Sequence, residues 1–172
     1  VGTAFAYADE SGFEPFSRQQ IIDAVLNEEA DVFTSPVASP TGFPFKVVQL
    51  EGTVSDPEIY SGRERLCDVG YLRHLIKRDD GKLTYRCPAE PIKNYLQKGG
   101  KLEDTEGRVC LCNQLGAAAG FANIRRNGYI EPIIITSGDD VVNISQFVPC
   151  GQASYQAEDV IKVLLSKIAQ PI

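Results

Sequence analysis

The chain opens with the apolar stretch Val1-Gly2-Thr3-Ala4-Phe5-Ala6-Tyr7-Ala8, and the polar residues Asp9-Glu10-Ser11-Gly12 follow it directly. A short run of small and apolar residues that ends in a polar turn predicts a buried β-strand. A helix is predicted next, over about residues 17–29, because Ser17 as N-cap and Gln20 form a capping-box pattern and apolar residues then recur at helical spacing. A strand followed by an amphipathic helix is half of a β/α unit, so the opening predicts an α/β fold.

Outward from this opening, the chain is rich in turns and poor in long regular elements. Prolines and glycines punctuate residues 36–44, where we place a boundary. The later predicted elements are strands at 45–50 and 130–136, a helix at 90–97 that glycines end, a helix at 114–119 with Asn113 as its cap, and a last helix with Ser154 as its N-cap. We therefore divide the chain into residues 1–35, the β/α unit, and residues 36–172, an irregular α+β extension.

Composition and charge exclude some partners. The 172 residues are 43% hydrophobic and carry a formal net charge of −6, and the pI is about 4.8. This balance is typical of a globular domain and disfavours nucleic acids and anionic membranes, which bind basic surfaces. No apolar run approaches the roughly 18 residues of a membrane-spanning helix, and no signal-peptide pattern is visible. We therefore expect a cytoplasmic protein that binds neither nucleic acid nor membrane.

Four cysteines lie in the turn-rich part of the extension: Cys67, Cys87, Cys110 and Cys112. Four thiolates in an irregular region can bind zinc tetrahedrally or hold an iron–sulfur cluster. One Cys-x-Cys pair with two single cysteines is not a familiar metal-binding spacing. Buried, reduced thiols are therefore the alternative interpretation. We expect the fifth cysteine, Cys150, to be structural.

Other charged features are weaker indications of a functional site. Residues 63–86 are rich in arginine and lysine but interspersed with acids, so a solvated surface is favoured over a phosphate site. The paired carboxylates of Asp139 and Asp140 are explained most simply as a turn and a helix cap. His74, the single histidine, has no partner carboxylate near it in the sequence and is not a good candidate for catalysis.

The opening resembles a known family. Val1-Gly2-Thr3-Ala4-Phe5 followed by Asp9-Glu10-Ser11 looks like the last barrel strand of nitronate monooxygenase-like (2-nitropropane dioxygenase-like) flavoenzymes. Further segments look like the long C-terminal extension of one branch of that family: residues 38–47, 85–91, 107–113 and 136–140. The resemblance implies a TIM barrel that binds FMN and oxidises small nitronates or a related substrate. Residues 1–35 would be its last strand and helix, and the rest of the barrel would lie upstream.

The resemblance also implies where the cofactor binds. The backbone amides of Gly2 and Thr3 would hold the phosphate of FMN. From their position after the strand, we expect Glu10 and Ser11 to line the mouth of the site.

The loop at residues 39–44 is the expected lid over the flavin, with Gly42 and Phe43 as its substrate-side residues. The catalytic histidine of the family has no counterpart here, because His74 lies in a different context. No catalytic residue is therefore predicted. The alternative function, from another class, is a non-catalytic interaction module held together by zinc or an iron–sulfur cluster at the four cysteines.

Overall fold

Short helices and two antiparallel hairpins make up the computed structural model, which describes residues 2–168. In chain order, the main elements are α1 (Gly2–Ala6), α2 (Pro15–Leu26), β1 (Val32–Ser35), β2 (Phe45–Val48), α3 (Pro57–Gly62), β3 (His74–Lys77), β4 (Leu83–Arg86), α4 (Ile92–Gln97), α5 (Leu111–Gly116) and α6 (Ala157–Ile168). Three further turns of helix are 3-10 at Leu102–Thr105, π at Ala117–Phe121 and 3-10 at Asp139–Phe147. The fold is mixed α/β, and residues 2–168 form no closed barrel.

The opening stretch corrects the prediction of a buried strand, because Gly2–Ala6 is the helix α1. The buried residues of the opening stretch are Ala4 within α1 and Tyr7 and Ala8 just after it, and they are spaced as on one face of a helix. Alanine is the strongest helix former. So short a run of small residues is compatible with the period of a helix and with that of a strand. Packing decides between them: the Tyr155 hydroxyl donates a 2.7 Å hydrogen bond to the Ala4 carbonyl. The expected last strand of a TIM barrel is therefore not present in the described residues.

The helix predicted after the opening is confirmed as α2, but it begins earlier than residue 17. Pro15 occupies its first turn, and the Glu14 carboxylate accepts hydrogen bonds from the backbone amides of Phe16 and Ser17, at 3.0 and 2.7 Å. Glu14, rather than Ser17, is thus the N-cap. Burial raises the pKa of Glu14, but these hydrogen bonds outweigh it and lower the pKa below its usual value.

Both β-sheets are two-stranded hairpins. The strand predicted at residues 45–50 is confirmed as β2, which pairs with β1 in the register Val32↔Val48. The strand predicted at residues 130–136 forms only an isolated bridge between Ile124 and Ile130. Beyond that bridge the chain runs extended beside β2, where the Val48 amide donates to the Ile135 carbonyl at 2.9 Å. We call β2 and residues 133–135 the central pair.

The predicted helices of the extension are confirmed with shifted ends. Helix α4 lies within residues 90–97, and Gly99, at φ +78°, follows it as the sequence indicates. Helix α5 begins at Leu111, so Asn113 lies inside it and does not cap it. Helix α6 begins at Ala157 rather than at Ser154. None of the described helices is long and apolar enough to cross a membrane.

The central pair separates two hydrophobic cores. The first core, against which α1, α2, α6 and the helix Asp139–Phe147 pack, includes Val48 and Ile135. The second core, which includes Val109 and Leu111, contains Val47 and Ile134. Successive side chains of an extended chain point to opposite faces, which explains why neighbouring residues enter different cores. The first core joins residues from both sides of the predicted boundary between residues 35 and 36. The boundary itself stays a prediction.

We expect Ile135→Ala to lower the free energy of unfolding by about 2–5 kcal/mol, because it leaves a cavity in the first core. Ile135 is fully buried, whereas Ile161 on α6 is 47% exposed. Ile161→Ala is therefore the control and should change stability by less than about 0.5 kcal/mol. Urea unfolding followed by circular dichroism measures both. Equal midpoints for the two variants would contradict the packing of the central pair.

The Glu14 cap should make stability depend on pH. Because folding lowers the pKa of Glu14, its contribution is fully present above the unfolded pKa of about 4.3 and is lost as the pH falls through the folded value. We expect the difference in unfolding free energy between the wild-type chain and Glu14→Gln to be largest above about pH 5 and to shrink below about pH 4. The exposed Glu29→Gln should show no such trend. A constant difference across the pH range would rule out the ionised cap.

Candidate functional site

The residues expected to bind the FMN phosphate lie in the first turn of α1, and a distant turn closes over them. The Thr3 hydroxyl donates a 2.8 Å hydrogen bond to Asp140 Oδ1. Gly138 precedes the helix Asp139–Phe147, and a Cβ at Gly138 would collide with the Asp140 carboxylate. The predicted cap by these aspartates is wrong, because Gly138 is the N-cap, no side chain caps the helix, and Asp139 and Asp140 lie in its first turn. Gly2 itself is exposed, and nothing lies within 4 Å of where its Cβ would be.

Two buried hydroxyls lie beside this turn. Tyr7 follows the last residue of α1 and is only 1% exposed. The buried hydroxyls of Tyr7 and Ser137 face each other and have no other hydrogen-bond partner among the described residues. Burial raises the pKa of Tyr7, the Ser137 hydroxyl lowers it, and the Asp140 charge raises it further, so the three groups are neighbours. We call Thr3, Tyr7, Ser137 and Asp140 the hydroxyl cluster.

A cation contacts the same turn. The Lys46 ammonium, on β2, forms an ion pair with Asp139, which is next to Asp140 in the chain. The sequence patterns did not single out Tyr7, Ser137 or Lys46. Tyr7 lies in the opening stretch, and Lys46 and Ser137 lie in the segments 38–47 and 136–140 that carry the family resemblance.

Glu10 and Ser11 are placed elsewhere. They follow the C-terminal end of α1, whereas Gly2 and Thr3 begin it. The Glu10 carboxylate accepts a 2.9 Å hydrogen bond from the Ala157 amide at the start of α6. The Ser11 hydroxyl accepts a 3.4 Å hydrogen bond from the Phe13 amide. Both side chains thus hold local structure between α1, α2 and α6.

The loop of Gly42 and Phe43 is anchored by the segment that precedes α5. The Arg108 guanidinium donates to the carbonyls of Val37 and Ser39, at 2.9 and 2.6 Å. Gly42 takes a φ of +82°, a turn conformation that glycine adopts without strain. Phe43 is 73% exposed. The loop therefore presents an aromatic side chain on the surface, and its hydrogen bonds connect it to the second core.

The segments that carry the four cysteines form one region, residues 65–113, which we call the cysteine region. Asn113 joins two of them, because its Oδ1 accepts from the Val69 amide at 3.3 Å and its Nδ2 donates to Asp68 Oδ2 at 2.9 Å. Asn113 follows Cys112, and Asp68 follows Cys67. These hydrogen bonds therefore place the Cys67 segment against the start of α5.

Arg65 joins the segment that carries Cys87 to the chain just before Cys67. Its guanidinium donates to the carbonyls of Pro88, Glu90 and Thr105. Pro88 follows Cys87, so the Cys87 turn is held against the chain before Cys67. The interpretation of residues 63–86 as a solvated surface is therefore wrong for Arg65, whose charge is used inside the fold. His74 is exposed on β3 and has no role in this arrangement.

All five cysteines are free thiols. Burial is the largest influence on the pKa of Cys67, Cys87 and Cys110 and raises all three values, that of Cys110 to about 12. The charges of Cys67 and Cys112 raise the pKa of both Cys87 and Cys110 further. The thiols are therefore within electrostatic reach of one another. Nevertheless, in the part of the chain that the structure describes, no three His, Cys, Asp or Glu side chains are arranged to hold a metal ion.

Comparison of the chain with protein-family models, with curated protein sequences and with solved structures found no match. The resemblance to nitronate monooxygenase-like flavoenzymes therefore stays a prediction.

We expect Arg65→Lys to destabilise the cysteine region, because an ammonium cannot donate to three separated carbonyls as the planar guanidinium does. Leaving buried carbonyls unpaired should cost about 1–3 kcal/mol of unfolding free energy. The exposed Arg126→Lys is the matched control and should change stability by less than about 0.5 kcal/mol. Urea unfolding of both variants measures the effect. Equal stability of the two would show that Arg65 does not hold the region together.

Proposed function

We propose that this chain is the C-terminal part of an FMN-dependent oxidoreductase, similar to nitronate monooxygenases, that acts on small nitronates or a related substrate. In this proposal the upstream part of the same protein supplies the rest of a TIM barrel, including the catalytic base. The resemblance of the opening and extension segments supports the family. A cytoplasmic location and a small-molecule substrate belong to the same proposal.

One observation carries the proposal: Thr3, which is expected to bind phosphate, contacts a turn beside two buried hydroxyls, Tyr7 and Ser137, that face only each other. A hydrogen bond between two hydroxyls uses only one of their two O–H donors, so Tyr7 and Ser137 favour an additional acceptor at this place. The first amides of a helix also lack intrahelical partners. Gly2 leaves these amides accessible, because it has no side chain and nothing lies within 4 Å of where its Cβ would be.

The residues present fit an anionic group such as the phosphate of FMN. The amides of Gly2 and Thr3 would donate to phosphate oxygens, and the Thr3 hydroxyl would add a third donor by leaving Asp140. The Lys46 ammonium reaches this turn from β2, where it pairs with Asp139, and it would offset part of the negative charge of a bound phosphate. When bound, FMN supplies the transfer of electrons, and the protein orients it.

The other predicted site residues take more limited roles in this proposal. Glu10 and Ser11 fix the ends of α6 and α2, so they would shape the mouth of the site without contacting the cofactor. Phe43 is exposed and supported by a loop that Arg108 anchors, which is compatible with an apolar lid residue. Gly42 gives the loop its turn.

The test is the flavin content of the intact protein. We expect Gly2→Leu to reduce FMN retention at least about tenfold, which corresponds to about 1.4 kcal/mol of binding free energy. The leucine side chain would cover the amides of the first turn. Gly62→Leu is the matched control, because that glycine also has free space around it and lies at the end of α3. Visible absorbance of the purified proteins, with FMN titration of each, measures retention.

Equal flavin content in the two variants would remove Gly2 from the site. An intact wild-type protein that neither contains nor binds FMN would overturn the proposed function. In that case the alternative, a non-catalytic module held together by metal, would be the better account of the chain, because the grouping of the cysteine segments does not depend on a flavin.

A further inference from the structure

A buried carboxyl group lies just before the central pair. Glu131 follows the bridge between Ile124 and Ile130 and is only 2% exposed. Its backbone amide donates to the Asn123 carbonyl at 3.0 Å, which closes residues 123–131 into a turn. Burying an ionised carboxylate costs far more free energy than burying a neutral carboxyl group, unless a cation pairs with it. The protonation state of Glu131 is therefore decided by the groups around it.

One amide joins Glu131 to a second carboxyl group. Asn113 Nδ2 lies 2.9 Å from Asp68 Oδ2 and 3.4 Å from Glu131 Oε2, so the two carboxyl groups converge on one nitrogen. The side chains of Arg125 and Asn123 also donate to Asp68 Oδ2. The hydrogen bond from Arg125 is the largest influence on the pKa of Asp68 and holds it below its usual value. Asp68 is therefore the ionised member of the pair.

The side chain on the other side of Glu131 is an amide whose oxygen lacks a donor. Gln114, on α5, is 1% exposed, and its Oε1 has no hydrogen-bond partner among the described residues. The same side chain hydrogen-bonds to Glu131. A primary amide offers one donor side and one acceptor side, and a protonated carboxyl group offers the same, whereas a carboxylate only accepts. A proton on Glu131 thus supplies the donor that Gln114 Oε1 lacks.

The charges around Glu131 do not include a cation of its own. The groups that interact electrostatically with it come from three segments: Asp68 before β3, Cys110 before α5, and Arg125 and Tyr129 in the turn 123–131. Arg125 is the one cation in this set, and it forms its ion pair with Asp68. Burial raises the pKa of Glu131 and the charge of Asp68 raises it further, which together outweigh the hydrogen bonds that lower it.

Polar contacts hold the same three segments together. The Tyr129 hydroxyl accepts from the Glu64 amide at 3.1 Å, and Asn113 Oδ1 accepts from the Val69 amide at 3.3 Å. The turn 123–131 and the start of α5 are thus both fastened to residues 64–69. Single hydrogen bonds of this kind contribute only about 1 kcal/mol each, so a change of charge at Glu131 is large enough to disturb them.

From this geometry we propose that Glu131 carries a proton in the folded chain at neutral pH and acts as a pH switch. Loss of that proton places a second negative charge beside Asp68 and leaves Gln114 Oε1 without a donor, so the turn 123–131 separates from α5 and from residues 64–69. The O–H bond of the carboxyl group breaks, the proton passes to solvent, and no other covalent bond changes. This proposal does not rest on the flavin proposal, because it involves neither α1 nor the hydroxyl cluster.

The direction of the switch follows from the sign of the shift. Because folding raises the pKa of Glu131, the stabilisation by its protonated form is fully present below the unfolded pKa of about 4.3 and is lost as the pH rises through the folded value. The arrangement therefore opens on the alkaline side.

The test replaces the carboxyl group with an amide of the same shape. Glu131→Gln keeps an acceptor for Asn113 and a donor for Gln114 Oε1 but cannot ionise. We expect its Tm to exceed that of the wild-type chain at about pH 8, and the difference to shrink as the pH falls toward about 4. The exposed Glu51→Gln is the matched control and should show no such trend. A Tm of Glu131→Gln equal to or below that of the wild-type chain at about pH 8 would overturn the proposal.

Two measurements on the wild-type chain do not depend on a variant. The side-chain carboxyl resonance of Glu131, followed by carbon-13 NMR, should titrate at a higher pH than that of Glu51. Hydrogen exchange at the Glu64 and Val69 amides, corrected for the intrinsic rate, should show at least about tenfold more opening at about pH 9 than at about pH 6. Titration of Glu131 together with Glu51, or equal opening at both pH values, would show that Glu131 is not a switch.

Discussion

The backbone hydrogen bond from the Val48 amide to the Ile135 carbonyl is the constraint that orders the two hydrophobic cores. It holds β2 beside residues 133–135, and the alternation of side chains sends Val48 and Ile135 into the first core and Val47 and Ile134 into the second. A change of one residue in this register would exchange the two sets of side chains between the cores.

The candidate anion site is formed by the two ends of the chain together. The Ala4 carbonyl accepts from the buried Tyr155 hydroxyl, and the Ser154 hydroxyl donates to Asp9 at 3.0 Å. These contacts fix α1 against the segment that precedes α6. The turn before the helix Asp139–Phe147 then reaches Thr3. The opening stretch alone offers only the first amides of a short helix, whereas the later segment contributes the hydroxyl of Ser137 and the carboxylate of Asp140.

The cysteine region is organised differently, by charged and amide side chains rather than by apolar packing. Arg65 and Asn113 are satisfied by backbone carbonyls, a backbone amide and Asp68, so their polar groups define where the loops meet. Buried polar networks of this kind specify one arrangement but stabilise it modestly.

The sequence by itself determined the elements with local signals: α2, α4, α6 and β2 follow from periodicity, caps and glycine stops. The four cysteines come from composition, whereas the candidate residues Gly2 and Thr3 come from the family resemblance. Only the tertiary structure decided that the opening is a helix, since residues 2–6 fit both periodicities until Tyr155 packs against them. It also decided that residues 133–135 stay outside a regular strand, and that Tyr7, Ser137 and Arg65 lie at the candidate sites. Contacts between residues far apart in the chain leave no periodic pattern in the sequence, because their energy depends on positions that only the complete fold creates.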